Sequence, residues 1–313
     1  MKIHIQTSAY LSALLAVLLL LVYHPSGHAK SDTIRYENQQ IDLVYDRSLD
    51  QTERQNSYNW LQRVANALMT VYGQLPQDRF TINLHKTNAK SGPVPWGQVS
   101  RNPSEILLVI NPDYGFDDIL GDWTAFHEIS HLLIPYRGYG DLWFSEGLAT
   151  YYQNIIRARS DLISEADMWD RIISGFERGL AQNQLSHLGL SEVSDNMHEY
   201  PAYMRVHWSG VHYWLSIDVR LRQNGISLDN ALKKLKDCCN SRSMSAKQIA
   251  RKLDELSNDN IFLPMFEQYR KSSAMPGYHA LLRDLGLAQG DNRLVFMQEA
   301  PLREIRNSIY RGA

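Results

Sequence analysis

The strongest constraint on this chain is the stretch TAFHEISHLL at residues 124–133, in which His127 and His131 stand four apart and Glu128 follows the first. Side chains four apart share a helix face, so both imidazoles can direct a ring nitrogen at one metal ion. Glu128 lies about 100° further around such a helix, close to the ion without binding it. From there a carboxylate can take a proton from water activated by the ion, the general-base role in metal-assisted peptide hydrolysis. The flanking Ala125, Phe126, Ile129, Leu132, Leu133 and Ile134 predict that this helix is buried. Buried histidines need partners.

Catalytic zinc takes three protein ligands and keeps one position open. Arg137 occupies the position six residues after His131, where a third histidine would mark a different zincin class. The following segment, DLWFSEGLATYY (141–152), offers Glu146 instead, after a reversal through the turn-rich PYRGYG (135–140). Two histidines and a glutamate, His127, His131 and Glu146, are therefore the expected ligands of one Zn2+ ion. Thr150, one turn beyond Glu146, can support a ligand from behind.

Beyond these residues, LWFSEGLATYYQNIIRARSDLISEADM, YMRVHWSGVHYWLSIDVRLRQNGISLDNAL (203–232) and MPGYHALLRDLGL (275–287) follow in order. Together with HEISH they resemble the glycyl-aminopeptidase family of gluzincin metallopeptidases, whose catalytic domain is thermolysin-like. The resemblance covers about 120–287 and implies a peptide or protein substrate, with Glu128 activating water. That family stabilises the oxyanion with a tyrosine in a Tyr-Trp-x-Gly pattern. Here the aligned residues read HWSG, which puts His207 in the tyrosine's place, and Tyr203 one turn earlier is the fallback donor. The resemblance also implies a PDZ domain and a large N-terminal β-domain, and the expectation is that this chain lacks the first and most of the second. An aminopeptidase further needs an acidic group near its edge strand, yet GPVPWGQVSRN (92–102) contains no Asp or Glu. An endopeptidase or restricted-substrate peptidase is thus expected at least as strongly. The alternative is a degenerate zincin fold that binds peptides or envelope partners without hydrolysis.

The remaining features set the context. The chain has 313 residues, 44% hydrophobic and 21% charged, with a formal net charge of −2 and no long basic run, so no nucleic-acid surface is expected. Lys2, the apolar run LSALLAVLLLLV (11–22) and the small residues Gly27 and Ala29 read as a signal peptide over 1–29. An exported protein, periplasmic or secreted, follows, with an uncleaved inner-membrane anchor as the alternative. Cys238 and Cys239 are adjacent, which rules out a disulfide framework and leaves free thiols, an intermolecular link or a strained ring. No feature sets an oligomeric state.

Helical spacing covers 53–73, then 121–134, 143–159, 164–182, 203–223, 228–237, 245–256, 261–270 and a short 277–285. Strands are expected at 79–86 and 105–112, with an edge strand near 94–99. The fold class is α+β: an N-terminal α/β lobe (30–118), a helical gluzincin region (119–290) and a C-terminal tail (291–313). His187, His198, His212 and His279 lack ligand partners at useful spacing and are expected to be exposed or locally hydrogen-bonded.

Overall fold

A computed structural model describes residues 31–182, 185–289 and 294–312. The segment read as a signal peptide, 1–29, lies outside them. No helix among the described residues is long and apolar enough to cross a membrane.

The N-terminal part is a five-stranded sheet in the order β1-β2-β3-β5-β4. Its strands are β1 (Ser31–Tyr36), β2 (Gln39–Tyr45), β3 (Arg79–Lys86), β4 (Trp96–Arg101) and β5 (Ser104–Ile110). β2, β3 and β5 run parallel, while β1 and β4 are antiparallel edges. Period-two alternation buries Ile41, Leu43 and Tyr45 on β2, Phe80, Ile82 and Leu84 on β3, and Ile106, Leu108 and Ile110 on β5. Helix α1 (Gln51–Leu68) starts at a capping box between Asp50 and Glu53 and buries Trp60, Leu61, Val64 and Leu68. β4 has no fully buried residue, as suits an edge strand, and Trp96 at its start is 53% exposed.

The rest of the chain is mostly helical, so the expected α+β class is the one present. The helix expected over 121–134 is present as α3 (Thr124–Ser130) and a 3-10 turn, His131–Leu133, with a separate short helix, α2 (Phe116–Gly121), before it. The Asp122 carboxylate accepts the Thr124 amide at 2.7 Å, which ends one helix and starts the next. Helices α4 (Leu142–Arg159), α5 (Glu165–Ala181), the short α6 (Leu190–Asp195) and α7 (Tyr203–Gln223) follow. α4 and α7 cross at two glycines: a Cβ on Gly147 would lie 2.3 Å from the Gly210 backbone. α5 packs as closely, since a Cβ on Gly175 would lie 2.1 Å from the Trp208 ring.

α8 (Leu228–Cys239), α9 (Ala246–Ser257), α10 (Phe262–Tyr269) and α11 (His279–Asp284) complete the helical region. Of the three states open to the adjacent cysteines, the structure has the ring, a Cys238–Cys239 disulfide at the end of α8. Beyond 290, where the sequence offers only a tail, β7 (Leu294–Phe296) pairs antiparallel with β6 (Leu287–Gln289). Helix α12 (Arg303–Arg311) then docks, and Arg306 donates to the Leu285 and Gly286 carbonyls.

Candidate metal centre

α3 lies against β4 and β5 on one side and α4 on the other. Between α3 and α4 the chain reverses as its turn residues suggest, through positive φ at Gly138 (91°) and Gly140 (74°). The Tyr136 hydroxyl donates to the Gly140 carbonyl at 2.7 Å and holds that reversal. Glu146, one turn into α4, is thereby returned to the histidines.

Donor atoms of His127, His131 and Glu146 lie within 4.8 Å of one another. The Glu146 Oε2 atom is 3.2 Å from His127 Nε2 and 3.5 Å from His131 Nε2. The two rings stand at 89°, with centroids 4.8 Å apart, so their nitrogens converge from different directions. Behind each ring the other nitrogen is held: His127 Nδ1 is 2.8 Å from Gln153 Oε1, and His131 Nδ1 is 2.9 Å from Ser145 Oγ. An amide oxygen can only accept, so His127 carries its proton on Nδ1 and turns a lone pair inward from Nε2. Arg101 on β4 donates to the same Ser145 Oγ at 3.1 Å, linking the sheet to the His131 ring.

The electrostatics suit a cation. Burial holds His131 down to about 4, so this ring stays neutral at ordinary pH. Burial also pushes on His127, but the Glu146 hydrogen bond and the carboxylates of Glu128 and Glu146 outweigh it and raise its pKa. Glu146 resists desolvation because His131 and His127 hold its carboxyl well below the usual range. Glu128 is 9% exposed, and burial lifts it to about 7, near the optimum for a group that must both take and return a proton. It sits directly under the edge strand: a Cβ on Gly97 would lie 2.5 Å from Glu128 Cγ. Two imidazoles, with His127 giving up any extra proton to a bound cation, and one ionised carboxylate form the donor set that zinc takes, and these residues fit it.

His207 on α7 also reaches the centre. Its Nε2 is 3.8 Å from Glu146 Oε2, its Nδ1 is 3.2 Å from Thr150 Oγ1, and its ring stacks on His127 at 6.0 Å. Burial depresses it to about 4. Tyr203 is placed differently: it is 38% exposed, with its hydroxyl 3.3 Å from His198 Nδ1. His212, among the histidines without ligand spacing, is buried and bonds the Tyr269 hydroxyl at 2.6 Å. A cavity of about 590 Å³ opens beside the centre, lined in part by Trp123, His127, Gln153, Arg157, His207 and Trp208.

Sequence reasoning does not reach three residues of the centre. Gln153 stands seven beyond Glu146, on the same α4 face, and that spacing is a usable signal. Ser145 and Arg101 meet only because the sheet packs on α3, and nothing local marks them.

No family model matches the chain, and no curated protein does. Solved structures do match. An aminopeptidase N family protein from Idiomarina loihiensis superposes with a TM-score of 0.61 at 18% identity, over 85% of this chain and 52% of that one. An M1 zinc metallopeptidase from Deinococcus radiodurans gives 0.50 at 14%, over 80% and 52%. Yeast LTA4 hydrolase gives 0.53 at 13%, over 82% and 42%. The chain therefore shares the fold of these zinc metallopeptidase structures and carries within it a His-His-Glu cluster able to hold a metal ion. The chain spans about half the length of the structures it matches.

Proposed function

We propose that this protein is an exported zinc-dependent peptidase that cleaves within peptide chains. The observation that carries the reading is the convergence of His127, His131 and Glu146 with the buried Glu128 carboxyl beside them. Zinc held by those three residues supplies Lewis acidity toward a carbonyl and lowers the pKa of water. Glu128 takes the proton of the attacking water and returns it to the leaving amine. Its pKa near 7 lets it do both.

His207 supplies the hydrogen bond that an oxyanion needs. With Thr150 Oγ1–H donating to Nδ1, the neutral ring carries its proton on Nε2, the atom that faces Glu146. This geometry favours His207 over Tyr203, whose hydroxyl is engaged with His198. The substrate backbone adds to the open edge of β4, a common mode of peptide capture. That strand carries no carboxylate to hold a free α-ammonium, and its last residue is the cation Arg101. An internal peptide bond is the better fit, and the signal-like segment at 1–29 supports export.

The test is end-sequencing of fragments from a mixed peptide library, with and without a zinc chelator, for the wild type and for Glu128→Gln. Cleavage at internal bonds is expected from the wild type alone and is lost with chelator, while the variant keeps stoichiometric zinc. Cleavage that persists in Glu128→Gln would sink the mechanism. A non-hydrolytic peptide binder is the second reading, favoured by His207 at the tyrosine position; stoichiometric zinc without turnover on any peptide decides for it.

A further inference from the structure

The cavity beside the centre has an unusual floor. Along α4, residues Glu146, Thr150, Gln153 and Arg157 follow at spacings of four, three and four, so they share one face. The first three are the expected ligand, the His207 partner and the His127 partner. Arg157 ends the row, 3% exposed and in the cavity wall. Its Nη2 donates to the Gly121 carbonyl at 2.6 Å, but its Nε has no hydrogen-bond partner.

Opposite lies α5, whose Arg171 and Ser174 face the same cavity. Arg171 repels Arg157, and Asp122 only partly offsets that repulsion. The wall also carries two exposed carboxylates, Asp170 and Asp167, the latter engaged in the α5 capping box with Ser164 and lying in the field of Arg171. Among the described residues no carboxylate oxygen lies within the 4.0 Å ion-pair distance of Arg157 or Arg171. A buried guanidinium with no ion-pair partner, offset only by Asp122 beyond ion-pair distance, is costly unless a ligand supplies a closer charge.

The geometry points to a carboxylate-binding subsite at Arg157 and Arg171, built to hold an acidic side chain or the terminal carboxylate of the peptide in the cavity. It deepens the peptidase reading and rests on it for the peptide. Arg157 is eleven residues beyond Glu146, roughly 16 Å along the helix axis. Both side chains lean toward the helix N-terminus, and the longer arginine reaches further back toward the metal centre, which shortens the gap. An extended peptide advances about 3.4 Å per residue, so the recognised carboxylate sits roughly three or four residues from the scissile bond. A guanidinium pair holds both oxygens of a carboxylate by ion-paired hydrogen bonds, whereas a carboxamide of the same shape offers one acceptor oxygen and no charge.

The test uses one neutral ten-residue peptide with an amidated end and three relatives. One carries Glu three or four residues to either side of the central bond, one carries Gln there, and one has a free C-terminus. Binding to the zinc-loaded Glu128→Gln protein is measured by calorimetry, and kcat/KM by cleavage with the wild type. A carboxylate peptide is expected to bind about tenfold tighter than its carboxamide twin, with the gain shrinking at high salt. The Glu and free-terminus arms identify which carboxylate is read. In Arg171→Gln, a change at an exposed position that leaves the core intact, the ratio of the twins falls to within about twofold. Arg157→Gln removes the buried partner, and the ratio falls likewise.

Equal affinity of carboxylate and carboxamide peptides overturns the subsite, as does a ratio unchanged in Arg171→Gln. If wild type cleaves nothing while the ratio persists in binding, the peptidase reading fails and the subsite stands. If wild type cleaves carboxylate and carboxamide peptides equally well, the subsite fails and the peptidase reading stands.

Discussion

Arg101 shows how one side chain can tune chemistry it does not perform. Its guanidinium bonds Ser145 and bears electrostatically on Glu128, opposing the burial that raises that carboxyl to about 7. Glu128 must be ionised to accept a proton, so activity is lost as pH falls through its pKa. Removing the cation raises that pKa further, and the low-pH limb of kcat/KM in Arg101→Met is expected to move to higher pH. A profile that stays in place, read on a peptide cleaved by the wild type, removes Arg101 from this role. At this scale the sequence is informative wherever contacts follow a helical period. His127, Glu128 and His131 are three positions on one segment, and Glu146 needs only a reversal that PYRGYG provides. Arg101 and Ser145 are 44 positions apart and meet across two elements, so no spacing rule reaches them.

The crossing of α4 and α7 sets the distance between Glu146 and His207. Gly147 and Gly210 let the two backbones touch, and a methyl group on Gly147 would meet the Gly210 backbone at 2.3 Å. Backbone cannot rotate aside as a side chain can. Gly147→Ala is therefore expected to cost about 3 kcal/mol in urea unfolding, with activity falling further than stability alone accounts for. Stability within about 0.5 kcal/mol of wild type would show that the crossing yields easily. Elements with strong local periodicity are the legible ones. The spacing over 143–159 and 203–223 corresponds to Leu142–Arg159 and Tyr203–Gln223, and RFTINLHK to Arg79–Lys86. β1 carries little local signal because it buries only Ile34, whereas β2 alternates at Ile41, Leu43 and Tyr45, a period-two pattern that the expected strands leave out.

At the scale of the whole molecule, the far end of α4 is tied to the C-terminal helix by buried charge. Arg159 pairs with Asp229 at 3.0 Å and donates to the Ile309 carbonyl, while Arg222 pairs with Asp218 at 2.9 Å and donates to the Ser308 carbonyl. Tyr152 and Tyr151 donate to the same two carboxylates. Asp229→Ala leaves Arg159 buried without its partner and is expected to cost about 3–5 kcal/mol in thermal or urea unfolding. A loss under about 1 kcal/mol would mean that water or another acid replaces it. The α+β class is legible from the order of strands and helices, but this closure of residues 303–311 onto α4 and α7 is not, since its partners are spread over the second half of the chain. α4 carries Glu146, the Gln153 and Ser145 supports behind the two histidine rings and the buried Arg157 of the cavity, so on the proposed reading a change to it disturbs rate and selectivity together. α5 contributes only residues without metal or proton-transfer duties to the same cavity. A library confined to Asp170, Arg171, Ser174 and Arg178 is where new substrate preferences could be bred without touching the chemistry.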